Sequence, residues 1–248
     1  MGNTKGELRV GTSGFTYDHW RDVFYPANVP KKAWLEYYAE HFDTVEINST
    51  YYHLPRRKVC ESWRRRTPEG FCFVLKMNRQ ATHRQKLLEV AEPLEVFLIA
   101  AEGLGEKLGA VLVQLPPRFA ADPARLDDFL QLCRKQQARP LRWALEFRDA
   151  SWLCDEVYAV LREHSAALVV HDLIPHHPHE VTCEWVYLRF HGPTRRYSGC
   201  YPSQSLRAAA KRIREHLSAG RDVLAYFNND VAGHAVNNAA DLRRYVLE

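Results

Sequence analysis

The six residues Trp143-Ala144-Leu145-Glu146-Phe147-Arg148 alternate between two kinds of side chain. Successive side chains of a β-strand point to opposite faces, so one face would carry the large apolar groups and the other Ala144, Glu146 and Arg148. The apolar face suits packing against helices. The polar face would bring a carboxylate and a guanidinium to the end of the strand, where we expect a functional site.

Seven other short apolar runs also end in polar or charged residues. Most are separated by enough residues for a helix, which is typical of βα units around a parallel sheet. Eight units in 248 residues predict an α/β fold, a TIM-like (β/α) barrel of eight parallel strands in one domain over residues 1–248. The eight runs are Leu8–Ser13, Phe42–Asn48, Phe71–Asn78, Leu108–Gln114, Arg142–Arg148, Ala167–Asp172, Trp185–His191 and Asp222–Asn228.

Helical periodicity and capping residues predict the outer helices between these runs. Between the sixth and seventh runs, Pro175 and Pro178 predict a short or missing helix. The nearby His176-His177-Pro178-His179 segment is expected to be an exposed loop. The helices are expected over Lys31–His41, Pro55–Arg66, Glu92–Leu104, Asp122–Lys135, Asp155–His164, Ser203–Ala219 and Ala235–Val246.

The composition of the chain is typical of globular proteins and not of membrane proteins. Hydrophobic residues make up 46% and charged residues 26% of the chain, as in soluble globular proteins. No apolar run approaches the roughly 18 residues of a membrane span, and the N-terminus lacks the apolar core of a signal peptide. We therefore expect a cytoplasmic protein without a membrane partner. No glycine-rich phosphate-binding spacing is present, so no organic cofactor is predicted.

Short sequence motifs with a distinctive combination of residues occur along nearly the whole chain. They are Gly11–Tyr17, Phe24-Tyr25-Pro26, Thr44–Asn48, Tyr51-Tyr52, Thr82-His83, Gln114–Pro117, Glu146-Phe147-Arg148 with Ser151-Trp152, Arg189–Gly192 and Tyr226–Asp230. Together these motifs resemble the domain-of-unknown-function 72 (YecE-like) family. The resemblance implies a (β/α) barrel related to the TIM barrel and assigns no reaction. Phe15 and Tyr51 depart from the family pattern, which has Trp and Phe at these places.

The C-terminal strand ends of a TIM-like barrel surround its active site. Carboxylates and imidazoles there are candidates for proton transfer, and cations, amides and aromatic rings for substrate binding. The catalytic candidates are Glu46, Glu146, His171, His191 and Asp230. The substrate-binding candidates are Tyr17, Trp20, Asn48, Tyr51, Tyr52, Lys76, His83, Gln114, Arg148, Trp152, Arg189, Asn228 and Asn229.

These residue types predict an enzyme of hydrolase or isomerase type, acting on a small polyhydroxylated anionic substrate such as a sugar phosphate or a nucleotide fragment. Lys76, Arg148 and Arg189 would hold the negative charge, while Glu146 and His191 would transfer protons. We expect a phosphate, sulfate or carboxylate to bind between the three cations. The competing role for the carboxylates is ion pairing with these cations, and for the aromatic rings it is loop packing.

Two alternatives stay open. Glu146, His171, Asp172, His191 and Asp230 follow the order of the divalent-metal ligands of barrel sugar isomerases and nucleases, so zinc or manganese is possible. The second alternative is a non-catalytic module that binds nucleic acid or protein through basic helices such as the one with Arg64-Arg65-Arg66. The sequence leaves the oligomeric state open.

Overall fold

The computed structural model describes residues 6–194 and 197–248, and these form eight strands in a closed barrel ordered β1 to β8. The predicted TIM-like barrel is confirmed. Each strand begins and ends within two residues of its predicted run. The strands are β1 Leu8–Ser13, β2 Thr44–Ile47, β3 Cys72–Lys76, β4 Leu108–Gln114, β5 Trp143–Glu146, β6 Ala167–His171, β7 Trp185–Phe190 and β8 Asp222–Phe227.

The helices lie where the periodicity predicts them. In addition, a single α-helical turn follows β2, and a π-helical turn over Gln80–Arg84 follows β3. The α-helices are α1 Trp34–His41, α2 Ser49–Tyr52, α3 Arg57–Arg65, α4 Ala91–Ala101, α5 Pro123–Gln136, α6 Asp155–Glu163, α7 Ser203–Ser218 and α8 His234–Leu247. Among the described residues, no helix is long and apolar enough to cross a membrane.

Contacts between residues group the chain into two compact units. The first unit contains the described residues of 6–46, 171–173 and 184–248. The second unit contains residues 47–170 and 174–183. The first unit therefore holds β1, β7, β8 and most of β2, and the second unit holds β3, β4, β5 and most of β6.

In the first unit, β1 pairs with β8 from Leu8 opposite Val223 onward, and with β2 at Ser13 opposite Glu46. The approach of β1 to β2 requires glycine at position 11, because a Cβ there would lie 2.3 Å from the Thr44 carbonyl oxygen. The Thr44 hydroxyl and the Tyr226 hydroxyl are 2.6 Å apart, as expected for side chains on the inner face. Alternation thus predicts the polar interior of this unit.

In the second unit, β4 pairs with β3 and with β5, which places Gln114 opposite Glu146. Helix α5 begins as predicted, with the Asp122 carboxylate accepting from the Arg125 main-chain N–H at 3.0 Å. Helix α3 ends on a buried cation: Lys107 Nζ donates to the carbonyl oxygens of Arg64 and Thr67, each at 2.6 Å. These bonds satisfy carbonyls that the last helical turn leaves without helical partners.

The connection between β6 and β7 confirms the predicted loss of a helix, since residues 172–184 are all described and none is helical. The Thr182 hydroxyl ties it to the sheet, donating to the Ala166 carbonyl at 2.6 Å and accepting from the Leu168 N–H. The expectation of a wholly exposed loop is wrong at His177, whose side chain is buried. Its Nδ1 lies 2.8 Å from the Pro178 carbonyl oxygen, a contact that holds the ring inward.

Candidate functional site

The first unit holds a buried network of four side chains, here called the Glu46 cluster: Ser13, Glu46, Tyr187 and Arg189. Glu46 Oε1 accepts from the Ser13 hydroxyl at 2.5 Å and from Arg189 Nη2 at 2.6 Å. Glu46 Oε2 accepts from the Tyr187 hydroxyl at 2.6 Å. The side chains of Glu46 and Arg189 are both fully buried. The carboxylate is therefore paired and hydrogen-bonded on both oxygens, which is the condition for burying a charge.

The main chain after β7 is held by Asp172, which immediately follows β6. Its carboxylate accepts from the His191 main-chain N–H at 3.0 and 3.2 Å, and from the Tyr201 hydroxyl. The Gly192 N–H in turn donates to the Tyr201 oxygen at 2.7 Å. Burial raises the pKa of Asp172 above its ordinary value. These bonds fix the position of His191 through its backbone.

The imidazole of His191 is oriented by polar neighbours. Arg189 Nη1 lies 3.5 Å from its Nε2, and the Asn228 side-chain amide lies 3.2 Å from its Nδ1. The ring of His171 lies edge-on to that of His191, with centroids 5.9 Å apart. His171 Nδ1 accepts from the Leu173 N–H at 3.2 Å, so the neutral ring carries its proton on Nε2. The predicted candidates His171, Arg189, His191 and Asn228 are thus close together in this unit.

The remaining candidates of the first unit are tied into loop packing. Trp20 is fully buried, donates its ring N–H to the Asp230 carbonyl at 2.8 Å and packs on Tyr17. The Asp230 carboxylate lies 3.3 Å from His19, and burial raises its pKa. Asn229 is also fully buried and donates to the Gly199 carbonyl and to Asn238. The packing alternative, which concerned the aromatic rings, fits Trp20.

The second unit holds a different group, here called the His83 cluster: Tyr51, Lys76, His83, Gln114 and Arg148. Lys76 Nζ lies 4.6 Å from the centre of the Tyr51 ring, a cation–π distance. The rings of Tyr51 and His83 meet edge-on with centroids 5.0 Å apart. Partial burial, and then the charges of Lys76 and Arg148, lower the pKa of His83 to about 4. This unit therefore combines a neutral imidazole with two cations.

Hydrogen bonds define which nitrogen of His83 carries the proton. The Thr82 hydroxyl lies 2.9 Å from His83 Nδ1 and donates its own proton to the Asn78 carbonyl at 3.0 Å. The hydroxyl therefore accepts from Nδ1–H, since it has only one proton to give. On the other side, Gln114 Nε2 lies 3.4 Å from His83 Nε2 and also donates to the Leu115 carbonyl. His83 thus presents a lone pair on Nε2.

Glu146 and Arg148 form a direct ion pair in which Arg148 Nε donates to Glu146 Oε1. The Glu146 side chain is fully buried and that of Arg148 is 6% exposed. Asn48 differs, because its buried Oδ1 has no hydrogen-bond partner among the described residues. An unsatisfied buried acceptor suits a ligand hydroxyl.

The other aromatic candidates of this unit differ in exposure. Trp152 is fully buried, donates its ring N–H to the Phe119 carbonyl at 2.5 Å and stacks on Phe147, which fits loop packing. Tyr52 is 60% exposed.

A group of potential metal ligands lies outside the Glu46 cluster and the His83 cluster. In the described part of the chain, the one group of His, Cys, Asp or Glu side chains with three ligand atoms within 4.8 Å is Asp127, Glu163 and His164. His164 Nε2 and Asp127 Oδ1 are 2.6 Å apart and form a hydrogen bond between α5 and the end of α6. The predicted ligands of the first unit do not form such a group. Their carboxylates are engaged instead by the N–H and O–H donors around Asp172 and by His19 beside Asp230.

Sequence reasoning missed several residues that shape these clusters: Ser13, Thr82, His177, Tyr187 and Tyr201. For Ser13 and Tyr187 a signal was present, because the same alternation that selects Glu46 and Arg189 places them on the inner face of β1 and β7. Tyr201 lies in a loop without periodicity. Its contact with Asp172 depends on where that loop folds back, which no local pattern encodes.

Comparisons with known proteins agree with the fold. In an alignment of 267 positions, the chain is 26% identical to the UPF0759 protein YunF of Bacillus subtilis (strain 168). The alignment covers 95% of this chain and 93% of YunF. It is 35% identical over 85 residues to the UPF0759 protein YecE of Escherichia coli (strain K12), covering 34% and 31% of the two chains.

Among solved structures, a DUF72 family protein from Thermotoga maritima MSB8 superposes with a TM-score of 0.85 at 29% identity, covering 98% of this chain and 100% of the other. One from Enterococcus faecalis V583 gives a TM-score of 0.81 at 24% identity, covering 97% and 96%, and shares the fold. The model of the family described as "Protein of unknown function DUF72" matches residues 9–248. The chain therefore belongs to the DUF72 family.

Proposed function

We propose that the protein is an enzyme that acts on a small polyhydroxylated, anionic substrate such as a sugar phosphate or a nucleotide fragment. The observation that carries the proposal is the His83 cluster, which holds two cations and a neutral imidazole near the ends of β3, β4 and β5. The C-terminal strand ends are where barrels of this kind place their active sites.

The anion is assigned to Lys76 and Arg148. Lys76 contacts the Tyr51 ring, which meets the His83 ring edge-on, and the charges of Lys76 and Arg148 both lower the pKa of His83 after the larger effect of burial. Arg148 is in addition paired with Glu146. A guanidinium and an ammonium are the groups that bind phosphate and carboxylate in proteins. Arg189 is assigned a different role from the one first expected: it is fully buried against Glu46, so it neutralises that carboxylate.

The polyhydroxylated part of the substrate is assigned to groups with hydrogen-bonding capacity and flat surfaces. The buried Asn48 Oδ1 would accept from a hydroxyl, and His83 Nε2 offers a second acceptor. The Tyr51 ring would supply a face for a sugar or a base. Glu146 is the proposed proton-transfer group of this unit, and it is paired with Arg148 in the resting state. His191 is the corresponding proposal for the first unit.

A nucleic-acid-binding module is supported less well, because much of the basic helix α3 is neutralised. Arg57 pairs with Glu61 at 3.3 Å and with Glu102 at 3.1 Å, and Arg64 pairs with Glu106 at 2.6 Å. Each of these pairs lowers the net positive charge of the exposed face of α3, on which sequence-independent phosphate binding depends. Charge reversal at Arg65 would test this alternative through salt-sensitive DNA binding.

The experiment is a thermal-shift screen with sulfate, phosphate, sugar phosphates and nucleotides, followed by product detection by mass spectrometry. Ligands of the native state raise the melting temperature with the logarithm of their concentration. Arg148→Met should remove this rise, while Lys58→Met, an exposed lysine on α3, should keep it. On the substrate found, Glu146→Gln should abolish turnover, and it should also lower stability because Arg148 loses its counter-charge, so turnover is measured at a temperature where circular dichroism shows the variant folded. Stabilisation by Mn²⁺ or Zn²⁺ alone, with no anion effect, would overturn the proposal in favour of a metal enzyme.

A further inference from the structure

We propose that the site takes up its anion together with a proton, and that His83 Nε2 receives this proton. The inference rests on the proposed function, because it requires an anion beside Lys76 and Arg148. It deepens that function by making His83 the acid of the loaded site.

The hydrogen bonds specify where the proton goes. Thr82 accepts from Nδ1–H, so Nδ1 already carries its proton in the neutral ring. The added proton can bind only at Nε2, whose neighbour is the Gln114 amide at 3.4 Å. That contact is long, and the Gln114 amide donates to the Leu115 carbonyl at 2.9 Å, so the acceptor for Nε2–H would be an oxygen of the bound anion.

The surroundings explain why the proton is absent before the anion binds. Partial burial is the main cause of the lowered pKa of His83, and the charges of Lys76 from β3 and Arg148 from the end of β5 add to its effect. Glu146 balances part of the Arg148 charge through its ion pair. Tyr51 presents a neutral ring, edge-on at 5.0 Å. His83 is therefore neutral at neutral pH.

A bound dianion reverses the sign of the local field. Two negative charges near the cations stabilise an imidazolium, so they would raise the pKa of His83 above its value of about 4. The anion should bind about tenfold more tightly at pH 5 than at pH 8, a change that corresponds to the uptake of about 0.8 proton at pH 5 and almost none at pH 8.

Sulfate is the probe, because its own charge does not change between these pH values. Isothermal titration at pH 5 and pH 8, in two buffers of different ionisation enthalpy, measures affinity and proton uptake together. We expect the tenfold change and about 0.8 proton for the native protein and for His179→Asn, an exposed histidine of the same unit. His83→Asn should bind sulfate equally at both pH values without proton uptake.

The outcomes distinguish a failure of the proposed anion site from a failure of proton uptake at His83. If the native protein does not bind sulfate at either pH, the anion site is wrong, and this inference fails with it. If sulfate binds but His83→Asn keeps the same pH dependence as the native protein, the inference alone is overturned. Should His83→Asn fold poorly, the NMR titration of the His83 ring in the native protein decides. A pKa that does not rise when sulfate is added contradicts proton uptake at Nε2.

Discussion

The Glu46 cluster and the His83 cluster use similar residue types for opposite purposes. In the Glu46 cluster, one carboxylate receives three donors, and the charge of Arg189 is matched by that of Glu46. In the His83 cluster, two cations act on a neutral imidazole, and the ring is half-buried. In the first arrangement a fully buried carboxylate and a fully buried guanidinium are paired, whereas the second combines the Glu146–Arg148 pair with Lys76 and an imidazole and is the one proposed to take up an anion. On this proposal, the polar side chains of the barrel serve two purposes, structural in the Glu46 cluster and ligand-binding in the His83 cluster.

Removing the Glu46 charge should have the largest effect. Glu46→Gln leaves the Arg189 guanidinium buried without its counter-charge, which costs about 3–5 kcal/mol of unfolding free energy. Urea unfolding followed by circular dichroism measures the loss. The control is Glu61→Gln on the exposed face of α3, with an expected loss below about 1 kcal/mol. Equal losses in the two variants would mean that the Glu46 cluster is not a structural pair.

Removing one neutral donor from the same carboxylate should cost less. Tyr187→Phe deletes the hydroxyl that donates to Glu46 Oε2 and leaves that oxygen buried without this bond, a loss of about 1–3 kcal/mol. Tyr52→Phe is the matched control, because Tyr52 is 60% exposed, and it should change stability by less than about 0.5 kcal/mol. The same urea titration compares both variants. A neutral Tyr187→Phe would show that water replaces the hydroxyl.

The His83 cluster should appear in the pH dependence of stability. The folded-state pKa of His83, about 4, is below the ordinary value of 6.5, so the unfolded chain binds a proton between these values while the folded chain does not. The His83 contribution to stability is therefore complete above pH 6.5 and is lost as the pH falls toward 4. His83→Asn should flatten this part of the curve relative to His179→Asn. Parallel curves for the two variants would place the His83 pKa near its ordinary value.

The smallest effect is expected at an exposed pair outside both clusters. Arg64→Gln removes the ion pair with Glu106 at the surface and should cost less than about 0.5 kcal/mol. Thermal unfolding at low and at 0.5 M salt measures it, and the difference from the native protein should shrink as salt screens the pair. A loss as large as that of Tyr187→Phe would mean that surface charge, and not burial, sets the size of these effects.

The sequence predicts the barrel well because each strand repeats the same local pattern, an alternation of side chains between its two faces. Alternation correctly groups Thr44 with Tyr226 and Glu46 with Arg189 on inner faces, and the Asp122-Pro123 pair correctly marks the start of α5. These outcomes depend on periods of two residues or on neighbours in the chain.

The pairing of individual side chains could not be predicted in the same way. Tyr187 and Glu46 are 141 residues apart, so their contact follows from the order and register of the strands. The proton position on His83 depends on a hydroxyl that is committed to the Asn78 carbonyl. His177 was expected in an exposed loop because its prolines exclude a helix, but the absence of a helix does not determine burial.

The pairing of β1 with β8 has a consequence for synthesis on the ribosome. Leu8 lies opposite Val223, so the ribosome must add 215 residues after Leu8 to complete Val223. At about 5–20 residues per second, β1 waits roughly 10–40 s before β8 exists. Throughout that time one edge of β1 has no native partner, although Val10 and Thr12 are buried in the finished protein. The emerging chain thus presents an unpaired strand edge that chaperones or neighbouring nascent chains can bind until β8 has been synthesised.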